Sequence, residues 1–373
     1  MHTIKEDLKT WIEIDTVALQ NNYERLRSLL LPQTLLWAVV KANAYGHGII
    51  ALSTILDRFG VQGFCVDSVI EGIKLRESGI TKPILVMGPT LPPLFRRARS
   101  YNLVITLPSI AALRIALTQV VIPSFHIKVD TGMHRQGIMP AQLSMAFQLI
   151  RKNNLPLRGM YTHFAEGNDL SKQQSVEQQF QSFQRAKRLA FRYDLHNLCF
   201  HAAATGVLFM DPRYQCDAVR IGKGLYGLWP SESTRRRFSK TIPLAPILSW
   251  HSLISDITTF SKGSSLGYGH LVKLRKKTTV ALIPVGFWHG YDRGLIHRGL
   301  VGINGQRANV IGAVSMNIIM IDVTGIACKL GDPVTLLGTT HGAPSARQLA
   351  TCIQTIQTEI TTRINPLIKR IYV

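Results

Sequence analysis

The chain has 373 residues, enough for two domains and a large hydrophobic core, and its 46% hydrophobic and 17% charged residues are typical of a globular protein. No apolar stretch approaches the length of a membrane span, so we expect a soluble protein. The net charge is +21, but the basic residues are scattered and lack interleaved aromatic residues, so we expect no specific nucleic-acid partner.

Strands and helices alternate through the first 230 residues. Residues 11–15 read WIEID and alternate between faces, which indicates a strand, and an amphipathic helix follows to about residue 30. Eight short apolar runs then indicate strands at 35–40, 63–67, 84–87, 103–106, 125–129, 159–162, 198–201 and 218–221. The segments between and after them have helical patterns, at 50–59, 69–78, 91–100, 110–118, 140–153, 171–193 and 204–210. Eight strands with intervening helices predict an α/β fold, a (β/α)₈ barrel of the TIM type.

The pattern changes near residue 230. Residues 231–245 are basic, polar and interrupted by proline, which predicts a linker. Short alternating runs with glycine-bearing turns then predict a mostly antiparallel β domain. Its strands are expected at 247–257, 279–284, 300–303, 308–314, 318–323 and 333–337, followed by a helix at 345–356. We therefore predict a barrel domain, residues 1–240, and a mostly β C-terminal domain, residues 241–373.

Lys41 is the most informative residue of the chain. It follows the apolar run 35–40 and so lies where a strand ends, which in an α/β barrel is the catalytic rim. The run VVKANAYGHG is rich in small residues, so a bulky group can approach closely, and Tyr45 offers a hydroxyl four residues on. A lysine held at a strand end can lose its proton and form a Schiff base with a cofactor aldehyde.

Other chemically distinctive residues lie at or after the ends of later strands. Lys128 lies late in the fifth strand and Arg135 soon after it, and such a pair of cations needs a neutralising group, for which Asp130 is a candidate. Thr205 is suited to cap a helix whose N-terminus would bind a phosphate. The others are His163 after the sixth strand, Arg220 at the end of the eighth, and Gly222 and Gly224 in the following turn. All of them would face one rim of the barrel.

Motifs along nearly the whole chain are similar to those of alanine racemases. The matching segments, in order, are WIEIDTVAL, VVKANAYGHG, EGIKLRESGI, PILVMG, KVDTGMHRQGI, YTHFA, VRIGKGLYG, LGYGH, GYDRGL, IGAVSM, IDVT and RINPLIKRIYV. The chain thus resembles a fold-type III pyridoxal-phosphate enzyme, with an N-terminal barrel and a C-terminal β domain. The resemblance implies pyridoxal 5'-phosphate as cofactor, alanine as substrate and a homodimer as the active assembly.

The resemblance also implies a two-base (Lys/Tyr) mechanism. Lys41 would hold the cofactor as an internal aldimine and then act as the base on one face of the substrate carbon, for the D-enantiomer. Tyr268 of the partner subunit would be the acid–base on the other face, for the L-enantiomer. Both side chains have ordinary pKa values of about 10, so burial or positive neighbours would have to lower them.

The resemblance assigns binding roles to the remaining residues. Arg220 would hydrogen-bond to the pyridine nitrogen and leave it unprotonated, because a guanidinium does not readily give up a proton. Lys128 matches a position that is carbamylated in many members, which would resolve its clash with Arg135. The others would be His163, packed on the pyridine ring and bonded to Arg220; Tyr45, Thr205, Gly222 and Lys223 around the phosphate; Arg135 near the ring oxygen and the substrate carboxylate; and the partner's Met316 at the substrate.

Several positions depart from the pattern of the family. The departures are Ala204 for asparagine, Phe287 for tyrosine, Trp288-His289 for Ala-Asp, Asn317 for aspartate and Thr358 for a phosphate-binding tyrosine. Because they remove polar contacts, cofactor affinity or substrate range is expected to differ. Lys223, at a position that is usually aliphatic, would offset the lost phosphate contacts with its charge.

The implied activity is the interconversion of L-alanine and D-alanine, which would supply D-alanine for peptidoglycan. One alternative is a broad-specificity amino-acid racemase acting on serine, lysine or arginine. Another is a non-catalytic pyridoxal-phosphate-binding protein, against which the retained Tyr268 argues. The five cysteines lack metal-ligand spacing and residues 1–7 lack the pattern of a signal peptide, so we expect a cytoplasmic protein with no metal site.

Overall fold

The computed structural model describes residues 8–373, apart from the side chain of Tyr268. These residues form two compact units. One comprises Gln20–Ala44 and Ile49–Leu244, and the other comprises the residues up to Leu19, Tyr45–Gly48 and Ala245–Val373. The sequence-based division placed everything up to residue 240 in the barrel domain, whereas the first strand and the short segment Tyr45–Gly48 fall in the second unit.

Eight parallel strands of the first unit close into a barrel, as predicted. Each strand pairs with the next along the chain, and the last pairs with the first through Leu35 opposite Ala218 and Trp37 opposite Arg220. After β1 (Thr10–Ile14), which belongs to the second unit, the barrel strands are β2 (Leu35–Val39), β3 (Gly63–Val66), β4 (Ile84–Pro89), β5 (Val104–Leu107), β6 (Phe125–Lys128), β7 (Leu157–Tyr161), β8 (Cys199–Ala204) and β9 (Ala218–Ile221). The runs are apolar because parallel strands are covered on both faces.

Helices alternate with the barrel strands, and two of these helices begin at serine caps. Ser68 Oγ accepts from the Glu71 N–H, and Ser109 Oγ accepts from the Ala112 N–H. The α-helices of residues 8–373, including three that follow β9, are Thr16–Arg27, Ile49–Phe59, Val69–Glu77, Phe95–Ser100, Ile110–Leu117, Leu143–Lys152, Gln173–Arg192, Glu232–Phe238, Ala346–Cys352 and Gln357–Thr362. Among residues 8–373, no helix is both long and apolar enough to cross a membrane.

Two predicted segments of the first unit are wrong in detail. The helix expected at 204–210 is absent, because β8 continues to Ala204 with buried alanines and only the 3₁₀ turn Val207–Phe209 follows. The expected linker contains the helix Glu232–Phe238, whose first turn is capped by Ser231. A 2.6 Å salt bridge joins Arg235 to Glu232 and stabilises that helix. The basic composition of the segment gave no indication of a helix.

A nine-stranded sheet dominates the second unit and confirms the mostly β C-terminal domain. Besides β1, its strands are β10 (Leu248–Leu253), β11 (Asp256–Phe260), β14 (Thr278–Ile283), β15 (Leu300–Ile303), β16 (Gln306–Ile311), β17 (Ile319–Asp322), β18 (Pro333–Leu337) and β19 (Lys369–Tyr372), while β12 (Ser265–Leu266) and β13 (Val272–Lys273) form a separate pair. The strand order is β11-β14-β17-β16-β15-β18-β10-β1-β19. β1 pairs antiparallel with β10 and parallel with β19. The run 247–257, predicted as one strand, turns after Leu253 and forms two.

Candidate active site

Lys41 opens a left-handed turn at the carboxyl end of β2. The four residues after it have φ angles between +52° and +55°, and the Ala44 N–H donates to the Val40 carbonyl at 2.8 Å. None of the four is glycine, and the left-handed conformation costs an L-residue about 1–2 kcal/mol, so the turn holds roughly 4–8 kcal/mol of strain. Such strain persists only where surrounding structure fixes it and is concentrated at functional sites. The half-buried ammonium of Lys41 lies 3.7 Å from a carboxylate oxygen of Asp67.

Several cationic side chains lie around the carboxyl end of β6. Lys128 is buried at the last position of that strand, and burial, together with the charges of Arg135 and Arg220, lowers the pKa of its ammonium to about 8. The suggested neutralising acid does not pair with it. Asp130 instead accepts the backbone N–H groups of residues 132–134 at 3.0 Å each and shapes the loop. Lys128 therefore lies among cations without an ion-pair partner in residues 8–373.

His163 lies in the same cationic region. Burial lowers the pKa of its imidazole to about 3, with further contributions from Arg220, Lys128, Arg135 and Lys41. These charges act on His163 because the strand ends bring all five residues to one rim of the barrel. The ring is therefore neutral at physiological pH and presents a flat, uncharged surface.

Arg220 is a buried cation whose protein partners are all neutral. Its guanidinium donates to Nδ1 of His201 at 2.6 Å and to the carbonyls of Thr162 and Ala202 at 2.7 and 3.0 Å. The expected bond from His163 is absent, so that expectation is wrong and His201 is the imidazole that meets Arg220. The Arg220 Nε–H has no acceptor within the described part of the chain, so it can serve a neutral acceptor such as a ring nitrogen.

His201 connects Arg220 to a second histidine in the barrel core. Since Arg220 always donates, Nδ1 of His201 accepts and its Nε2–H donates to Nδ1 of His126 at 2.9 Å. Burial, followed by the charge of Arg220, lowers the pKa of His126 to about 3 and that of His201 well below its usual value. The Tyr161 ring stacks on His201 with centroids 4.8 Å apart. The guanidinium is thus held by a rigid, uncharged support.

Thr205 and the turn after β9 form a second polar corner of the barrel unit. Thr205 is buried, and its hydroxyl accepts from the Gly224 N–H at 3.4 Å. A Cβ at Gly224 would lie 2.8 Å from the Thr205 methyl group, so glycine is needed for this approach. Between Gly222 and Gly224 lies Lys223, whose pKa is lowered by burial. No acid pairs with Lys223 in residues 8–373, which leaves its charge available to an anion.

The other predicted site residues belong to the second unit. Tyr45 is in the segment Tyr45–Gly48, and Tyr268 opens a 3₁₀ turn in which the flanking glycines Gly267 and Gly269 have φ of +66° and +67°. The side chain of Tyr268 lies outside the described residues. A groove of about 820 Å³ is lined by Met316 and Asn317 together with Phe287 and several aliphatic side chains. Met316 is 55% exposed and Phe287 42%, so the groove is an exposed apolar surface.

Two family profiles together match nearly the whole chain. The profile described as alanine racemase, N-terminal domain, matches residues 14–230, and the profile described as alanine racemase, C-terminal domain, matches residues 247–372. The chain belongs to the alanine racemase family. This confirms the resemblance found in the motifs, and it makes the chain a racemase, an enzyme of the isomerase class.

Curated relatives and solved structures agree with membership of the alanine racemase family. The alanine racemase of Leptospira interrogans is 35% identical over 381 aligned positions, which cover 100% of this chain and 97% of that protein. The crystal structure of the Bacillus anthracis alanine racemase with bound L-Ala-P has a TM-score of 0.92 at 29% identity and covers 98% of this chain and 95% of its own. The alanine racemase of Bartonella henselae, solved with covalently bound pyridoxal phosphate, has a TM-score of 0.86 at 26% identity, covering 98% and 100%.

Sequence reasoning missed three residues at the racemase's barrel rim. Asp67, beside Lys41, ends a predicted strand and gave no signal beyond being an acid at a strand end. His201 lies in the apolar run CFHAAA, where a single histidine reads as a core residue. Glu71 belongs to the matching segment EGIKLRESGI, but nothing in its spacing indicates a contact with residue 42.

Proposed function

We propose that this racemase interconverts L-alanine and D-alanine with pyridoxal 5'-phosphate and two bases, Lys41 and Tyr268 of the partner subunit, and supplies D-alanine for peptidoglycan. The observation that carries the proposal is the arrangement of Lys41 in a strained turn at the barrel rim that also bears Arg220. When bound, the cofactor supplies an electron-withdrawing ring that acidifies the α-hydrogen of an attached amino acid.

The donor set of the barrel unit fits that cofactor. Lys41 offers an amine for the aldehyde carbon, and Arg220 keeps an N–H at Nε for the pyridine nitrogen. Because a guanidinium donates without giving up its proton, Arg220 would leave the ring nitrogen unprotonated. Thr205, the Gly222 backbone and the unpaired charge of Lys223 suit a phosphate, to which Tyr45 would add its hydroxyl. The neutral His163 ring would pack against the pyridine face.

Each base has its own proton to move. Inversion of the α-carbon requires that one base remove the α-proton from one face while the other base donates its own proton to the opposite face, so Lys41 and Tyr268 of the partner subunit would exchange these two roles between the two directions of the reaction. Arg135 would orient the substrate carboxylate, and the exposed Met316 groove would be completed by a second copy of the chain. A homodimer is therefore part of the proposal.

The direct test measures D-alanine formed from L-alanine by the purified protein with added pyridoxal phosphate. A parallel panel of serine, lysine and arginine tests the broad-specificity alternative, which the departures Phe287, Asn317 and Thr358 motivate. Turnover fastest on alanine is expected. Binding of the cofactor without turnover of any amino acid would instead support the non-catalytic binding protein.

Carbamylation of Lys128 is expected from its surroundings. Its pKa of about 8 leaves a large neutral fraction near that pH, and the neutral amine can add to the carbon of CO₂ with loss of one proton. The resulting anion would be stabilised by the cations around it. We expect a carbamate signal in the ¹³C NMR spectrum of the protein in ¹³C-bicarbonate, lost in Lys128→Met and retained when the exposed Lys152 is replaced by Met. A spectrum that is the same for Lys128→Met and the wild type would refute the modification.

Lys223 is expected to bind the phosphate of the cofactor through its charge. A charge-assisted hydrogen bond contributes about 1.5–3 kcal/mol, so Lys223→Ala should weaken pyridoxal-phosphate affinity roughly 10- to 150-fold. Affinity for pyridoxal, which has no phosphate, should be unchanged, and Lys223→Arg should retain most of the phosphate contribution. Titration of the cofactor-free protein with both compounds gives these Kd values. Equal affinity of Lys223→Ala and the wild type for pyridoxal phosphate would show that Lys223 does not compensate for the lost phosphate contacts.

A further inference from the structure

Glu71 has a fixed place beside the lysine turn. It lies in the first turn of the helix Val69–Glu77, directly after β3, and its own N–H donates to Ser68 Oγ, the cap of that helix, at 3.2 Å. Because the helix start is capped, the backbone of Glu71 cannot readily rotate. Its carboxylate is therefore presented in one direction, toward the ends of β2 and β3.

The Glu71 carboxylate bridges two backbone N–H groups that come from different strands. Its Oε1 accepts from the Ala42 N–H and its Oε2 from the Asp67 N–H, both at 2.7 Å. Hydrogen bonds to an ionised group are roughly twice as strong as bonds between neutral groups. The two bonds therefore tie the strained backbone at Ala42 to the end of β3.

The contact reaches the turn at its first residue. Ala42 directly follows Lys41 and has φ of +54°, and its N–H belongs to the peptide that leaves the lysine. The later part of the turn is held separately, because Asn43 Oδ1 accepts from the Ile49 N–H at 2.9 Å. Glu71 thus fixes the end of the turn next to the lysine, and it also holds the backbone of Asp67, whose carboxylate lies beside the ammonium.

We propose that Glu71 is a positioning residue that sets the direction of the Lys41 side chain by clamping the Ala42 peptide. The proposal rests on the proposed function of Lys41. Glu71 acts through the backbone and does not touch the reacting atoms. Since a misplacement of about 1 Å at a reacting group can cost about 100-fold in rate, loss of the clamp should lower kcat about 10- to 100-fold with a smaller change in KM.

The test compares Glu71→Gln with Glu77→Gln in the holoenzyme. Glutamine has the shape of glutamate, but its NH₂ group would face a backbone N–H, so one of the two bonds is lost. Glu77 lies on the same helix, and its carboxylate accepts from the Tyr101 hydroxyl at 3.2 Å and from no other group of residues 8–373, so it controls for the chemical change. We expect a lower kcat and an altered visible circular dichroism of the bound pyridoxal chromophore for Glu71→Gln, and wild-type values for Glu77→Gln.

Amide hydrogen exchange tests the clamp independently of activity. The N–H groups of Ala42 and Asp67 should exchange faster in Glu71→Gln than in the wild type and remain protected in Glu77→Gln. If Glu71→Gln does not fold, Glu71→Asp, which keeps the charge but is too short to bridge both donors, is measured in the same way. Unchanged kcat, dichroism and exchange, or a lower Tm with unchanged kcat, would overturn the proposal. Failure of the proposed function is distinguished by a wild type that makes no D-alanine.

Discussion

Replacement of Lys41 by alanine should abolish formation of D-alanine, with kcat lower by at least about 10⁴-fold. In the proposed mechanism the variant would lose both the amine that attaches the cofactor and the base on one face of the substrate carbon, and general acid–base catalysis alone contributes about 10²–10⁴-fold. Absorbance of covalently attached cofactor should disappear as well. The measurement is coupled detection of D-alanine together with a visible spectrum of the desalted protein.

The matched control is Lys74→Ala, an exposed lysine on the helix Val69–Glu77. It removes the same side chain from the same unit and should leave both the spectrum and the rate at wild-type levels. A desalted Lys41→Ala protein that keeps its visible absorbance, or that still racemises alanine, would show that another amine holds the cofactor.

Mixing two inactive variants should restore activity if Tyr268 acts across a dimer. Lys41→Ala and Tyr268→Phe are each expected to be inactive, because each lacks one of the two bases. In a mixed dimer one site combines both lesions, while the other pairs an intact Lys41 with an intact Tyr268 of the partner subunit. Random exchange of equal amounts makes half of the dimers mixed, so activity should recover to about a quarter of that of the wild type.

The control for the mixing experiment is a blend that is assayed before subunit exchange, after which activity should rise with time. If Tyr268 acts within its own chain, no combination contains an intact site and the mixture stays inactive. If Tyr268→Phe alone retains substantial activity, the tyrosine is not the second base, whichever subunit provides it.

The strands of the barrel could be predicted because each is a short apolar run that parallel pairing buries on both faces. Partners distant in sequence could not be predicted. The strand at residues 11–15 was recognised, but its placement between β10 and β19 depends on contacts more than 200 residues away. The strand β19 was missed because its sequence, KRIY, has too few alternating apolar positions to stand out.

The motifs predicted the residues of the candidate site one by one, but they did not predict its local geometry. Ala42 and Ala44 have side chains that disfavour a left-handed turn, and a single asparagine, which adopts that conformation more readily, does not predict four such residues in succession. The pairing of Arg220 with His201 instead of His163 depends on strand register. β8 shifts register against β9 between His201 and Ala204, and nothing in the sequence indicates such an irregularity.

The left-handed turn after Lys41 places stability and activity in competition. Its strain, roughly 4–8 kcal/mol, is of the same order as the whole net stability of an ordinary domain, about 5–15 kcal/mol. Sequence changes that relax the turn would therefore make the protein harder to unfold while releasing Lys41 from the orientation proposed for catalysis. Laboratory selection for heat resistance alone would favour substitutions in the turn that lower activity. Variants that are both stable and active therefore have to gain their stability at other positions.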